Sequence, residues 1–267
     1  LLNCTHMTFF DDGVAPTLYG ATWSFGTARI WRLVSGAWQM MTAGDTAFFA
    51  RLFVVTEGPT KSLYANFNVG AATEPSLYKL DNGFWVQVGA TWPAGTSAEI
   101  RDVSWFDDGT GATTWCAPTN GVPLKLVGSA WVPVGVLNPA PLPLSGVAVS
   151  DLEVADFGTG PELWIGGVFS AVGGDHIARL VGSQWIAPGA TDSPVAQLLF
   201  DSFESGPEMF AVGSFTTIAG APHVGAARFN GTTWAAAPLA AENSLLTADR
   251  RLVARPEGGA GALYMTV

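Results

Sequence analysis

Apolar residues in this chain come in short runs separated by turns rich in Gly, Asp, Asn and Pro, and the clearest example lies between Phe157 and Gly189. There an apolar run from Leu163 to Phe169 contains Gly166 and Gly167, passes through Gly173-Gly174, resumes at Ile177 to Val181, turns again at Gly182, and restarts at Trp185. Strand, hairpin, strand, hairpin is the order this pattern predicts. The glycines inside the run lower strand stability, so they predict a bulge or a close backbone approach.

Two landmarks show that the whole chain repeats this unit. An aromatic follows a mostly apolar residue at Tyr19, Tyr64, Trp115, Trp164, Phe210 and Tyr264, and a Trp follows a glycine by two or three positions at Trp38, Trp85, Trp131, Trp185 and Trp234. Both recur about every 50 residues, a period that with four short strands per unit predicts a β-propeller. The expected fold is all-β: one domain over 1–267, made of four-stranded antiparallel blades, five complete and a sixth half blade. The repeats fall at about 1–41, 48–89, 99–135, 147–189, 195–239 and 244–267. The large aromatics are expected in the wedges between blades, each burying about 150–250 Å², and the Trp opening each fourth strand is expected to cap the outer edge of the blade core.

Turn chemistry separates the strands. Asp11-Asp12-Gly13 and Asp107-Asp108-Gly109 suit tight turns because Asp bonds its own backbone and Gly accepts positive φ. Repeat two uses Thr56-Glu57-Gly58-Pro59 instead, and a proline-rich crossing, Leu137 to Ser145, separates repeats three and four. Repeat six is reduced to Leu245–Arg255, a turn over Pro256–Gly261, and Ala262–Val267.

The glycine pair and Trp185 resemble the kelch and galactose-oxidase-like propeller repeat. Phe106-Asp-Asp-Gly-Thr-Gly111, with Leu163 to Gly174 and Ile177-Ala-Arg179, is more similar still to a repeat of large secreted bacterial proteins, roughly FDDGxGPxLYxGGxFxxxGG followed by IAR and a Trp. The likeness spans nearly the whole chain and is sharpest in repeats four and five; repeats one to three have lost the glycine pair. It implies a propeller placed in the extracellular space or on the cell surface.

Composition narrows the function. With 48% hydrophobic and 13% charged residues the chain is not disordered, and its net charge of −10 reflects scarce lysine more than acidic blocks. Nucleic acid is not an expected partner, since phosphate binding needs clustered Lys and Arg. No membrane span is expected: the longest apolar candidate, Val132 to Val149, is broken by prolines. The chain opens at Leu1 with neither Met nor a basic leader, which predicts a processed or truncated end. Cys4 and Cys116 lie in non-adjacent repeats, too far apart for an expected disulfide.

Candidate chemistry is sparse. Calcium loops alternate their oxygen ligands, whereas the acids of the Asp-Asp-Gly turns are adjacent, so these read as plain turns. An aspartate-box reading fails because Ala227 and Phe229 stand where Ser and Asp are needed. His6, His176 and His223 are expected as surface loop residues without a third ligand beside them, so neither a metal nor a cofactor is predicted, and the copper chemistry of galactose oxidase lacks its tyrosine and cysteine partners. Glycoside hydrolysis is the alternative worth weighing, with Glu99, Asp102, Asp151, Glu153 and Asp156 near the ends of inner strands and Trp23, Trp31 and Trp92 as possible sugar platforms. None of these acids sits in a motif. The expected role is therefore a non-catalytic interaction or structural propeller, with a protein or glycan partner at the cell surface. The apolar edge at Ala262–Val267 carries no Lys, Pro or inward charge, and predicts strand pairing with further chain or self-association.

Overall fold

The computed structural model describes residues 3–11, 15–24, 27–43, 50–67, 76–97, 99–138, 147–203, 206–237, 251–257 and 260–266; in the last two ranges, as at Trp23, the description is of the backbone. Among the described residues there are strands and no helix. The chain divides into two compact units.

The first unit, Leu1–Thr119 with Leu124–Pro133, holds three antiparallel sheets of four strands. They are β1 (Asn3–Asp11) to β4 (Ala37–Ala43) through β2 (Pro16–Ser24) and β3 (Thr27–Val34), then β5 (Ala50–Glu57), β6 (Thr60–Phe67), β7 (Leu77–Asp81) and β8 (Phe84–Gln87), then β9 (Ile100–Asp107), β10 (Ala112–Pro118), β11 (Leu124–Val127) and β12 (Ala130–Pro133). Strands pair in chain order. Ser35-Gly36 and Asn82-Gly83 both take positive φ and close two-residue hairpins, the geometry that matches strand twist.

Asn120–Pro123 and Val134–Val267 form the second unit. One sheet is β13 (Ala148–Ala155), β14 (Glu162–Ala171), β15 (Gly174–Val181) and β16 (Gln184–Ile186). The next is β17 (Val195–Phe203), β18 (Gly206–Gly213), β21 (Ala226–Phe229) and β22 (Trp234–Ala236), with the small hairpin β19 (Thr217–Ile218) and β20 (Ala221–Pro222) inserted. A two-stranded sheet, β23 (Arg251–Glu257) and β24 (Ala260–Thr266), follows. Here the turn is tighter than expected: Pro256 lies inside β23 opposite Gly261, since its fixed φ is compatible with extended chain. Residues 245–250 of this repeat, like the acidic turn at 12–14 and most of the proline-rich crossing, lie outside the described residues.

The repeat has one packing rule. The second-strand aromatics Tyr19, Tyr64, Trp115, Trp164 and Phe210 are all buried, as expected, while the side chain of Tyr264 lies outside the description. Within the first unit, the face of β1–β4 bearing Tyr19, Ala21 and Ile30 packs on Leu52, Leu63 and Ala65 of the next sheet. The face bearing Tyr64 then packs on Cys116, Leu124 and Trp131 of the third. In the second unit Trp164 and Ile177 pack on Met209, Ala211 and Ala227 in the same way. In these three pairs the aromatic-bearing face meets the flanking-residue face of the following sheet.

A bulge marks the first pair of strands in four of the five large sheets, between Cys4 and His6, Ile100 and Asp102, Val149 and Asp151, and Val195 and Gln197. In the last two it faces Gly167 and Gly213, where a Cβ would stand 2.2 Å from a backbone carbonyl. Repeats one and three keep the bulge without glycine, placing Thr22 and Pro118 there.

The Trp residues at the fourth strands differ from expectation. Trp131 and Trp185 reach back to the preceding repeat, their indole N–H groups donating to the Val88 and Val134 carbonyls at 3.2 and 2.8 Å. They press on Gly89 and Gly135, where a Cβ would meet the indole at 2.3 and 2.6 Å.

Candidate functional site

The acids singled out for catalysis are bound into the fold. Asp151 and Glu153 on β13 accept the Leu198 and Phe200 amides of β17 at 2.7 and 3.2 Å, so these carboxylates satisfy the open edge of the following inner strand. Glu99 accepts from the Thr119 hydroxyl at 3.0 Å and pairs with Arg51 and Arg101 at 3.2 and 3.4 Å. Asp102 accepts the Val103 amide at 2.9 Å. Asp156 accepts the Gly158 and Gly160 amides at 2.8 and 3.0 Å, and Asp107 holds Gly109 and Gly111 in the same way at 2.9 Å each. Such turns leave those oxygens occupied by backbone donors. Among the described residues no group of three His, Cys, Asp or Glu is placed to hold a metal ion.

Register exposes a second device that sequence reading missed. The residue paired with each buried aromatic on the third strand is a cation: Arg32 opposite Tyr19, Lys79 opposite Tyr64, Lys125 opposite Trp115, Arg179 opposite Trp164, Arg228 opposite Phe210. Four of them bind an acid at or near the hairpin joining the first two strands of the sheet, at 2.5 Å for Lys79–Glu57, 2.6 Å for Lys125–Asp108, 2.7 Å for Arg179–Glu162 and 2.9 Å for Arg228–Glu208. Lys79 and Lys125 also lie over the rings of Tyr64 and Trp115. Burial and the hydrogen bond to Glu57 push the Tyr64 hydroxyl well above its ordinary pKa. Burial works against ionisation of Asp108, but hydrogen bonds from Lys125 and Thr110 outweigh it and hold that carboxyl below its usual range. Five of the twelve Lys and Arg residues occupy this one structural position, which leaves little positive charge for an anionic partner.

The histidines correct an expectation. His176 is not a surface loop residue: it lies in β15, is 2% exposed, and takes a φ of 70°. Burial lowers its pKa, and the charges of Asp175 and Asp192 with the Gly167 backbone offset this only in part. His6 is half-buried in β1, and His223 follows β20. Cys4 is exposed and Cys116 fully buried, both as free thiols, and burial raises the Cys116 pKa. A thiol-specific reagent is expected to label Cys4 at once and Cys116 only in denaturant; equal rates in the native protein would contradict this placement.

Asp192 ties the loop before β17 to the loop after β18, accepting the Thr216 and Thr217 amides at 2.8 and 2.9 Å. Burial opposes its ionisation, but the Thr216 hydroxyl and these amides prevail and hold the carboxyl at about 2. That is below the unfolded value of about 3.9, so its stabilisation is complete above that pH and is lost as the pH falls through about 2. Asp192→Asn is expected to flatten the pH dependence of the melting temperature across this window. An unchanged slope would show that the carboxylate contributes nothing.

The proposed sugar platforms fare unevenly. Trp92 is not at the surface; it is 7% exposed and stacks on Trp131 with centroids 4.7 Å apart. Trp31 is half-buried and donates its indole N–H to the Thr22 hydroxyl at 2.9 Å, and the Trp23 side chain lies outside the description. The exposed aromatics are elsewhere. One face of β1–β4 carries the cross-strand row Met7–Gly20–Trp31–Met40 and, beside it, the pairs Phe9–Leu18 and Leu33–Trp38, with no charge among these residues. Directly opposed residues share a face. On it Met7 is 58%, Phe9 70%, Trp38 45% and Met40 51% exposed, and the Trp38 ring lies over Gly20. Local alternation in β1 and β4 could have revealed this face, but the landmark role of Trp38 concealed it.

No known protein family and no curated protein matches the chain. Among solved structures it is similar to the extracellular domain of a protein described as a one-component system from B. thetaiotaomicron, at 13% identity and a TM-score of 0.55. The match covers 98% of this chain and 32% of that one, so the chain spans about a third of its length. The likeness is one of fold, and it joins an all-β architecture of four-stranded antiparallel sheets.

Proposed function

We propose that the chain is a non-catalytic interaction or structural module acting outside the cell. Its repeats would form one kelch-like β-propeller of five four-stranded blades and a half blade, with protein or glycan partners at the cell surface. The observation that carries this reading is the fate of the five candidate acids. Each is engaged by backbone, hydroxyl or guanidinium donors of the fold, whereas β1–β4 leaves open an apolar patch that includes Met7, Phe9, Trp38 and Met40. Exposed apolar surface of that kind marks an interaction site. The similarity to an extracellular domain supports the location, and no helix of the described residues is long and apolar enough to cross a membrane.

Incubation with a panel of bacterial and plant polysaccharides tests the reading. No release of reducing ends is expected. Turnover that is abolished by Glu153→Gln or Asp151→Asn would instead establish a carbohydrate-active enzyme.

A further inference from the structure

In the second unit the start of β15 is tied to the following repeat through one short segment. The Thr191 amide donates to the Asp175 carbonyl at 3.2 Å, the Ala190 carbonyl accepts the Ala219 amide at 2.8 Å, and Thr191 pairs with Ile218 of β19. Asp192 completes the junction: one carboxylate oxygen accepts the Thr216 and Thr217 amides, and the other accepts the Thr216 hydroxyl. His176 is buried beside it. Its φ of 70° is a conformation few side chains accept, and the Gly167 backbone hydrogen-bonds its ring. Its Nδ1 is out of contact with water and has no hydrogen-bond partner.

A neutral imidazole tolerates this, because Nδ1 is then a lone pair. An imidazolium does not, since both ring nitrogens are donors and a buried donor without an acceptor is costly. Among the described residues of the elements packed here, the titratable groups are Asp175, Asp192 and His223; Glu162 and Arg179 pair with each other farther along the β14–β15 hairpin. Asp175 precedes His176 on the same strand, so Asp192 is the anion contributed by a neighbouring element. Both its oxygens are engaged at Thr216 and Thr217, and it can turn to a charged His176 only by releasing them.

We propose that His176 makes this junction an acid-operated latch: on taking up a proton at Nδ1 it draws Asp192 away from Thr216 and Thr217 and frees the β19–β20 hairpin. Burial makes the folded protein hold that proton less tightly than the unfolded chain, whose histidines titrate at about 6.5. The stability contributed by the neutral ring is therefore complete above about pH 6.5 and is lost as the pH falls below it. Asp192 itself titrates far lower, at about 2, so the two windows are separate.

Amide hydrogen exchange of the full chain between about pH 7.5 and 5 tests this. Protection of the Thr216 and Thr217 amides, corrected for the intrinsic pH dependence of exchange, is expected to fall about tenfold. That of Ile165, in the middle of its sheet, should stay unchanged. His176→Asn, which suits a left-handed backbone and takes up no proton in this range, should abolish the fall, whereas His223→Asn should keep it. Imidazole resonances of the unsubstituted protein supply a second measurement: the His176 ring is expected to titrate below about 6.5 in step with the loss of protection. Protection independent of pH, a fall that survives His176→Asn, or a His176 titration that leaves Thr216 and Thr217 protected would overturn the latch.

Discussion

Replacing Trp164 by Ala is expected to lower the unfolding free energy by about 3–5 kcal/mol, the range for truncating a large core aromatic. Trp164 has no exposed surface. Its ring meets Phe157 edge-on at 6.0 Å and Phe229 of the following sheet at 5.4 Å, and its indole N–H donates to Glu162 at 3.2 Å. Alanine would remove all three contacts and leave a void where two sheets meet, one that neighbouring strands held by ladder bonds cannot close. A loss of that size is a large share of the about 5–15 kcal/mol typical of a folded domain. Trp38, which lies at the start of a fourth strand and is 45% exposed, provides the contrast: Trp38→Ala should cost about 1 kcal/mol or less. Urea unfolding of the three proteins decides the matter. Equal midpoints for the two variants would refute the assignment of Trp164 to the inter-sheet core.

Gly167→Ala is expected to cost about 3 kcal/mol or more, the upper range for forcing extra volume into a packed site. The new Cβ would stand 2.2 Å from the Ala148 carbonyl oxygen and 2.9 Å from the Val149 Cα. Both are backbone atoms of the bulged partner strand, so no side chain can swing aside; only the strand itself can move. Gly213→Ala meets the Pro194 carbonyl at the same 2.2 Å and should behave alike. At Gly36 the conditions are reversed, with φ of 80° and nothing within 4 Å of an added Cβ. There only the left-handed backbone is penalised, at about 1–2 kcal/mol. Should Gly167→Ala prove no worse than Gly36→Ala in thermal melts, the close approach of β13 and β14 would be wrong.

Strand identity, strand order and the landmark aromatics were legible in the sequence because each is written locally. Hairpins such as Asn82-Gly83 depend on the φ preferences of two adjacent residues, and burial of Tyr64 or Phe210 follows from its place in an apolar run. The glycine pair likewise announced a close approach at Gly167, although in repeats one and three the same bulge persists opposite Thr22 and Pro118 and leaves no sign in composition. The roles of polar and aromatic side chains were decided only by tertiary structure. Asp151 as an isolated carboxylate looks equally suited to catalysis and to architecture; what settles it is the Leu198 amide, 47 residues away, brought alongside by the packing of two sheets. Arg179 became a partner of Trp164 and Glu162 through cross-strand register, and Trp185 a clasp on Gly135 through a carbonyl 51 residues distant. Trp38 and Trp131 share one sequence signature, yet the first is exposed and the second is buried in a cluster with Val55 and Tyr64 of the sheet before it. A hydrophobic run carries its own strand propensity, whereas the work done by a charge or an indole is set by whatever the rest of the chain places opposite it.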